Sequence, residues 1–141
     1  MSSEPKTKPT GESVEAFLDA VEDPVRRADG YAAMKLLGEI TGKPAEMWGP
    51  SIVGFDRYSY AGPKGKAVEW PMAAFSPRKA ELVFYVSGGL KTRPDLLERL
   101  GKHRVGGGCL YIKRLSDIDP AVLRELAAWS YALMQERHPK V

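Results

Sequence analysis

The sequence predicts an α+β domain: an antiparallel sheet of four to six strands, covered on one face by N- and C-terminal helices. Three observations carry this expectation. Apolar residues recur every three to four positions before residue 42 and after residue 119, the period of a helix with one buried face. Between residues 46 and 114 the period falls to two and is interrupted by short Gly/Pro turns, and strands joined by such turns pair antiparallel. The chain has 141 residues, 43% of them hydrophobic, which suits one domain around one core.

Residues 1–11 are polar and contain Pro5, Pro9 and Gly11, so a disordered tail is expected there, with a single domain over 12–141. Val14, Phe17, Leu18 and Val21 form one stripe of a short helix over residues 12–22. Asp23-Pro24 is a cap followed by a first-turn proline and starts a second helix. Its core stripe is read as Val25, Ala28, Ala32, Leu36 and Ile40, and Gly42 and Pro44 end it.

Residues 46–60 read as one strand weakened by Gly54 and Asp56, which suggest a bulge. Gly62-Pro63 marks a turn, and residues 67–75 read as a second strand. Pro71 assigns that strand to an edge or a bulge, because proline cannot donate to a ladder. Glu81 to Val86 make a third strand, and Gly88-Gly89 end it. Thr92 to Leu100 make a short helix stopped at Gly101. Lys102 to Gly108 read as a basic, glycine-rich loop that feeds a fourth strand, residues 109–114. Asp119-Pro120 repeats the cap signal, and the last helix buries Val122, Leu123, Leu126, Trp129, Ser130 and Leu133.

No run of about 18 apolar residues is present, so no membrane association is expected. The first residues lack a secretory apolar core, and a single cysteine cannot form an internal disulfide; both suit a cytoplasmic protein. The net charge of +3 is uneven. Residues 1–23 carry 2 basic and 6 acidic side chains, residues 24–114 carry 16 and 8, and residues 115–141 carry 3 and 4. A basic middle segment favours anionic partners.

Aromatic and basic residues alternate through that segment. Trp48, Tyr58 and Trp70 would give a ligand apolar contact, while Arg78, Lys79, Lys102, His103 and Arg104 would fix an anionic group. The competing reading makes most of the aromatics core and Gly106–Gly108 a hairpin connection. The glycines precede a strand and lack the phosphate-loop spacing, so a nucleotide loop is poorly supported. Glu12, Glu15, Asp19 and Glu22 form an acidic ridge that could hold a metal ion through hard oxygen ligands; otherwise it is a solvated helix face. His103 and Cys109 lack the further ligands of a zinc site. No GxSxG string is present, and His103 and His138 are the only histidines, which weighs against a hydrolase. Without a helix-turn-helix, zinc-finger or RNP string, nucleic acid is not the expected partner.

Several blocks occur together: Met47-Trp48-Gly49, Ile52-Val53-Gly54-Phe55, Phe75-Ser76-Pro77-Arg78-Lys79, Leu100-Gly101-Lys102-His103 and Cys109-Leu110-Tyr111-Ile112-Lys113-Arg114-Leu115-Ser116-Asp117. In this order they resemble the YdhG-like family of uncharacterised bacterial domains, over residues 14–137. The resemblance implies a compact α+β domain similar in outline to frataxin. Some members are described as frataxin-like iron chaperones for iron–sulfur cluster assembly, which makes iron a possible cofactor here. Family members often carry glycine where this chain has Asp56, and a basic residue where it has Gly107. The expected function is non-enzymatic: a small anionic ligand or an acidic protein held on a basic, aromatic strand face. The alternative is iron binding at the acidic ridge.

Overall fold

The computed structural model describes residues 9–61, 65–86, 92–106 and 108–137. Expectations for residues 1–8, for Gly62-Pro63, for Gly88-Gly89, for Gly107 and for His138 lie outside the described residues. The element order is α1 (Val14–Asp19), α2 (Pro24–Thr41), β1 (Ala45–Trp48), β2 (Ile52–Phe55), β3 (Tyr58–Ala61), β4 (Ala67–Trp70), β5 (Ala73–Pro77), β6 (Leu82–Tyr85), α3 (Pro94–Leu100), β7 (Arg104–Gly106), β8 (Cys109–Ile112) and α4 (Pro120–Arg137). A single 3-10 turn, Leu115–Asp117, precedes α4. The protein is α+β: six strands form one sheet in the order β1-β2-β5-β6-β8-β7, with every neighbouring pair antiparallel. Strands β3 and β4 form a separate hairpin. Among the described residues, no helix is long and apolar enough to cross a membrane.

The helix signals act as the capping chemistry requires. Ser13 Oγ accepts from Ala16 N–H, and Asp23 Oδ2 accepts from Arg26 N–H at 2.8 Å. Gly42, at φ 67°, closes α2 and donates to Gly38 O. Asp119 Oδ1 accepts from Ala121 N–H at 2.9 Å and opens α4.

The stripe expected on α2 is displaced by one position. Val25, Ala28 and Ala32 are exposed, and the buried line is Arg26, Gly30, Ala33 and Leu37. An arginine and a glycine hide this line from a hydrophobicity pattern. At Gly30 the helix comes close to Leu18: a Cβ would stand 3.0 Å from Leu18 Cδ2. On α4 the buried set includes Tyr131 and Met134 beyond the expected stripe, while Trp129 and Leu133 are only partly buried.

The strand region differs more. The single strand expected over 46–60 is three short ones, and the strand expected over 67–75 is shared between the hairpin and the main sheet. Gly54 is in register, opposite Glu46 on one side and Ala74 on the other, so no bulge forms there. The break comes at Asp56, whose φ of 62° turns the chain out of the sheet. Arg104–Gly106, expected as loop, is an edge strand paired to β8, which itself ends at Ile112. Residues 9–11, expected in the tail, belong to the described domain: Pro9 bridges Trp48, and Thr10 N–H donates to Met47 O at 3.0 Å.

Alternation along the strands divides the sheet into two faces. Met47, Val53, Phe55, Phe75, Leu82, Phe84, Leu110 and Ile112 join the core that the helices cover. The intervening side chains, among them Glu46, Trp48, Val83, Tyr85, Arg104 and Tyr111, point to the other face. Gly54 lies on this outer face beneath Trp48: a Cβ would fall 2.4 Å from Trp48 Cδ1 and 2.8 Å from Pro71 Cβ. Gly54→Ala should therefore overpack the join between sheet and hairpin and lower stability by about 1–3 kcal/mol in urea unfolding. A loss under about 0.5 kcal/mol, the size of a neutral surface change, would contradict this contact.

Candidate anion-binding face

The hairpin lies against the outer face at its β1 side. The Trp70 ring sits 6.4 Å from that of Trp48 and 6.4 Å, edge-on, from that of Tyr85. Trp48, expected as a ligand contact, is fully buried beneath this cover, where its ring supports the face. Arg57 reaches over the Trp48 ring at 5.7 Å and pairs with Glu46 at 2.6 Å. Tyr58 is half-buried at the edge of the core, with its phenol pKa raised by burial and by neighbouring Tyr60.

The uncovered half of the face holds the cations. Arg78 Nη2 donates to Tyr85 Oη at 2.9 Å, and this hydrogen bond holds its guanidinium protonated more firmly than usual. Tyr111 and Cys109 contribute to the same environment. Arg104 lies over the Tyr111 ring at 3.9 Å and donates to Glu81 at 2.7 Å, which raises its pKa too. A shallow pocket of 120 Å³ is walled by Glu81, Lys102, His103, Arg104, Tyr111 and Lys113. His103 Nδ1 donates to Gly101 O at 2.7 Å, which leaves Nε2 as the nitrogen available to a partner. Among the described residues, Arg78, Lys102 and Lys113 form no ion pair with a carboxylate, and Glu81 is the one acid in the pocket wall.

The residues expected to bind ligand thus divide. Arg78 and the trio Lys102, His103 and Arg104 share the outer face, and Trp70 packs beside it. Lys79 stands with Arg78 on the rim of a second cleft, against the corner between α1 and α2. Tyr111, Glu81 and Lys113 complete the pocket, and Tyr111 and Glu81 were not among the expected residues. Period-two alternation could have found Tyr111, since it places Tyr111 opposite Leu110 and Ile112, on the side of Cys109.

The acidic ridge does not assemble. Asp19 accepts from Tyr31 Oη at 2.5 Å, and Glu12 and Glu22 are exposed at opposite ends of α1. Among the described residues, no three His, Cys, Asp or Glu side chains gather where they could hold a metal ion.

A buried polar pair anchors the hairpin. Asp56 is 7% exposed, and its Oδ2 accepts from Tyr131 Oη of α4 at 2.8 Å, while Oδ1 accepts from Arg57 N–H at 2.8 Å. Burial, then the hydrogen bond to Asp56, pushes the Tyr131 phenol up to about 12.

No family model, no curated protein and no solved structure matches this chain.

The raised Tyr131 pKa fixes a pH dependence. The native phenol holds its proton above the unfolded value of 10.0, so its contribution is complete below pH 10 and is lost as pH rises toward about 12. Tyr131→Phe should cost about 1–3 kcal/mol at neutral pH, because Asp56 loses a buried donor. It should also flatten the fall in stability over that alkaline window. Urea midpoints of the two proteins at pH 7, 10 and 11.5 provide the check; parallel curves would show that the pair carries no such linkage.

Proposed function

We propose that this chain is a non-enzymatic binding domain whose outer sheet face holds an anionic group presented by an acidic protein partner. The observation that carries this is the set Arg78, Lys102 and Lys113, three cations without carboxylate partners among the described residues, beside the Tyr85 and Tyr111 rings. Surface cations usually find nearby acids at little net gain. A face that leaves them unmatched has a positive potential to offer a partner. Aromatic rings at its floor supply rigid contact area. The pocket of 120 Å³ is small against the roughly 300–1,000 Å³ that encloses a drug-sized molecule, so it suits a carboxylate or phosphoryl group projecting from a larger body. The blocks that supply this face, Phe75–Lys79, Leu100–His103 and Cys109–Asp117, are among those that resemble the YdhG-like family, and we place the chain there as part of the same proposal.

An acidic peptide such as oligoglutamate serves as the probe. Calorimetry should show binding that weakens steeply with added salt. Lys102→Glu with Lys113→Glu should reduce affinity at least about tenfold, as expected when like charges replace complementary ones. Lys35→Glu with Lys43→Glu, on α2 and the turn after it, should leave affinity unchanged. Equal loss in both double variants would reduce the effect to net charge and overturn the proposal.

A further inference from the structure

Arg78 also borders a second cleft. A cleft of 410 Å³ opens between the α1–α2 corner and the turn that follows β5. Arg26 forms part of its wall and is only 8% exposed. Its Nη1 donates to Lys113 O at 2.5 Å, but its Nε is out of solvent and has no acceptor. Among the described residues no carboxylate forms an ion pair with this guanidinium. A buried arginine in that condition is costly, since desolvation is not offset by a counter-charge. Ordinary core packing would place an apolar residue here.

Arg78 and Lys79 stand on the same cleft, both exposed. The first turn of α2, an 18-residue helix, borders it at Asp23 and adds the positive end of its dipole. Two acids also border the cleft. Asp23 is already engaged, its Oδ2 capping Arg26 N–H at 2.8 Å, and Glu22 is exposed. Ala20, Val21 and Pro77 supply apolar wall.

We propose that this cleft binds a small organic phosphate monoester. The phosphoryl group would meet Arg26, Arg78 and Lys79, and the organic body would rest on Ala20, Val21 and Pro77. Three cations from two elements match a dianion with several acceptor oxygens better than the single charge of a carboxylate. The volume falls within the range of about 300–1,000 Å³ that receives a small molecule, and exceeds what a bare oxyanion fills. The inference stands on Arg26; it shares Arg78 with the acidic-partner face, and the Lys102/Lys113 variant below separates the two readings.

Glycerol phosphate, inorganic phosphate and acetate, each titrated into the isotope-labelled full chain, test it. Glycerol phosphate should bind tightest, and it should move the Arg26 Nε–H resonance and the amides at the start of α2. Arg78→Ala with Lys79→Ala changes only exposed side chains, so the fold is kept, and should weaken binding about tenfold or more. Arg26→Lys, which retains the charge but loses the guanidinium fork, should weaken it as well. Lys102→Glu with Lys113→Glu should leave it within about twofold, against the tenfold that marks 1.4 kcal/mol. Acetate or inorganic phosphate binding as tightly as the ester, an unmoved Arg26 Nε–H, or loss through the Lys102/Lys113 variant would each overturn the proposal.

Discussion

The outer face depends on one corner, the turn at Asp56. Its backbone adopts φ 62°, a conformation that favours glycine, and there the chain leaves β2 and enters the β3–β4 hairpin. A buried aspartate can hold that conformation because its carboxylate is tied to Arg57 N–H and to the Tyr131 hydroxyl of α4. The corner therefore connects both layers, through Tyr131 to the helices and through the hairpin to the far side of the sheet. From it follows a chain of contacts: the hairpin brings Trp70 onto Trp48 and Tyr85, and the Tyr85 hydroxyl receives Arg78. The first cation of the outer face is thus positioned by a turn more than twenty residues earlier in the sequence.

The charge layout has a simple logic. The sheet face next to the hairpin is dry and aromatic, and its acids are matched: Glu46 holds Arg57, and Glu81 holds Arg104. Beyond these pairs the balance turns positive, through Arg78, Lys102 and Lys113 on the face and through Arg26 in the cleft behind it. Arg26 also donates to Lys113 O, so the buried cation of the cleft and a surface cation of the face are joined through the carbonyl that follows β8. The two proposed sites are neighbours on one scaffold, and Arg78 borders both.

How much of this could be read from the sequence differs by element. The boundaries of α2 and the start of α4 were readable because capping is local: Asp23, Gly42 and Asp119 each act within a few residues of themselves, whereas the Ser13 cap of α1 went unread. Strand organisation was less so. Asp56 and Pro71 register only as weak strand positions, whereas Tyr58–Ala61 and Ala67–Trp70 pair in a sheet of their own, held by the Tyr131 and Trp48 contacts. The α2 face was misread because its buried line contains Arg26 and Gly30, chosen for a backbone carbonyl and for close approach rather than for hydrophobicity. For the candidate site, the basic run Lys102–Arg104 stood out as a string. Its partner Tyr111 reaches it through strand register, opposite Arg104, and Glu81 reaches it from the residue before β6 through an ion pair with Arg104. Lys79 and Arg78 are adjacent in sequence, yet only the fold shows that they border a cleft with Arg26.

The central claim is that the outer sheet face, and not net charge in general, receives an anionic partner. Amide and arginine side-chain shift mapping with an acidic peptide tests it most directly, at physiological salt where diffuse attraction is screened over about 8 Å. The account predicts saturable shifts clustered on Tyr85, Lys102, Arg104, Tyr111 and Lys113, with α2 and the exposed side of α4 unmoved. Small, unsaturated shifts spread over every exposed lysine and arginine, or a cluster centred elsewhere on the fold, would contradict it.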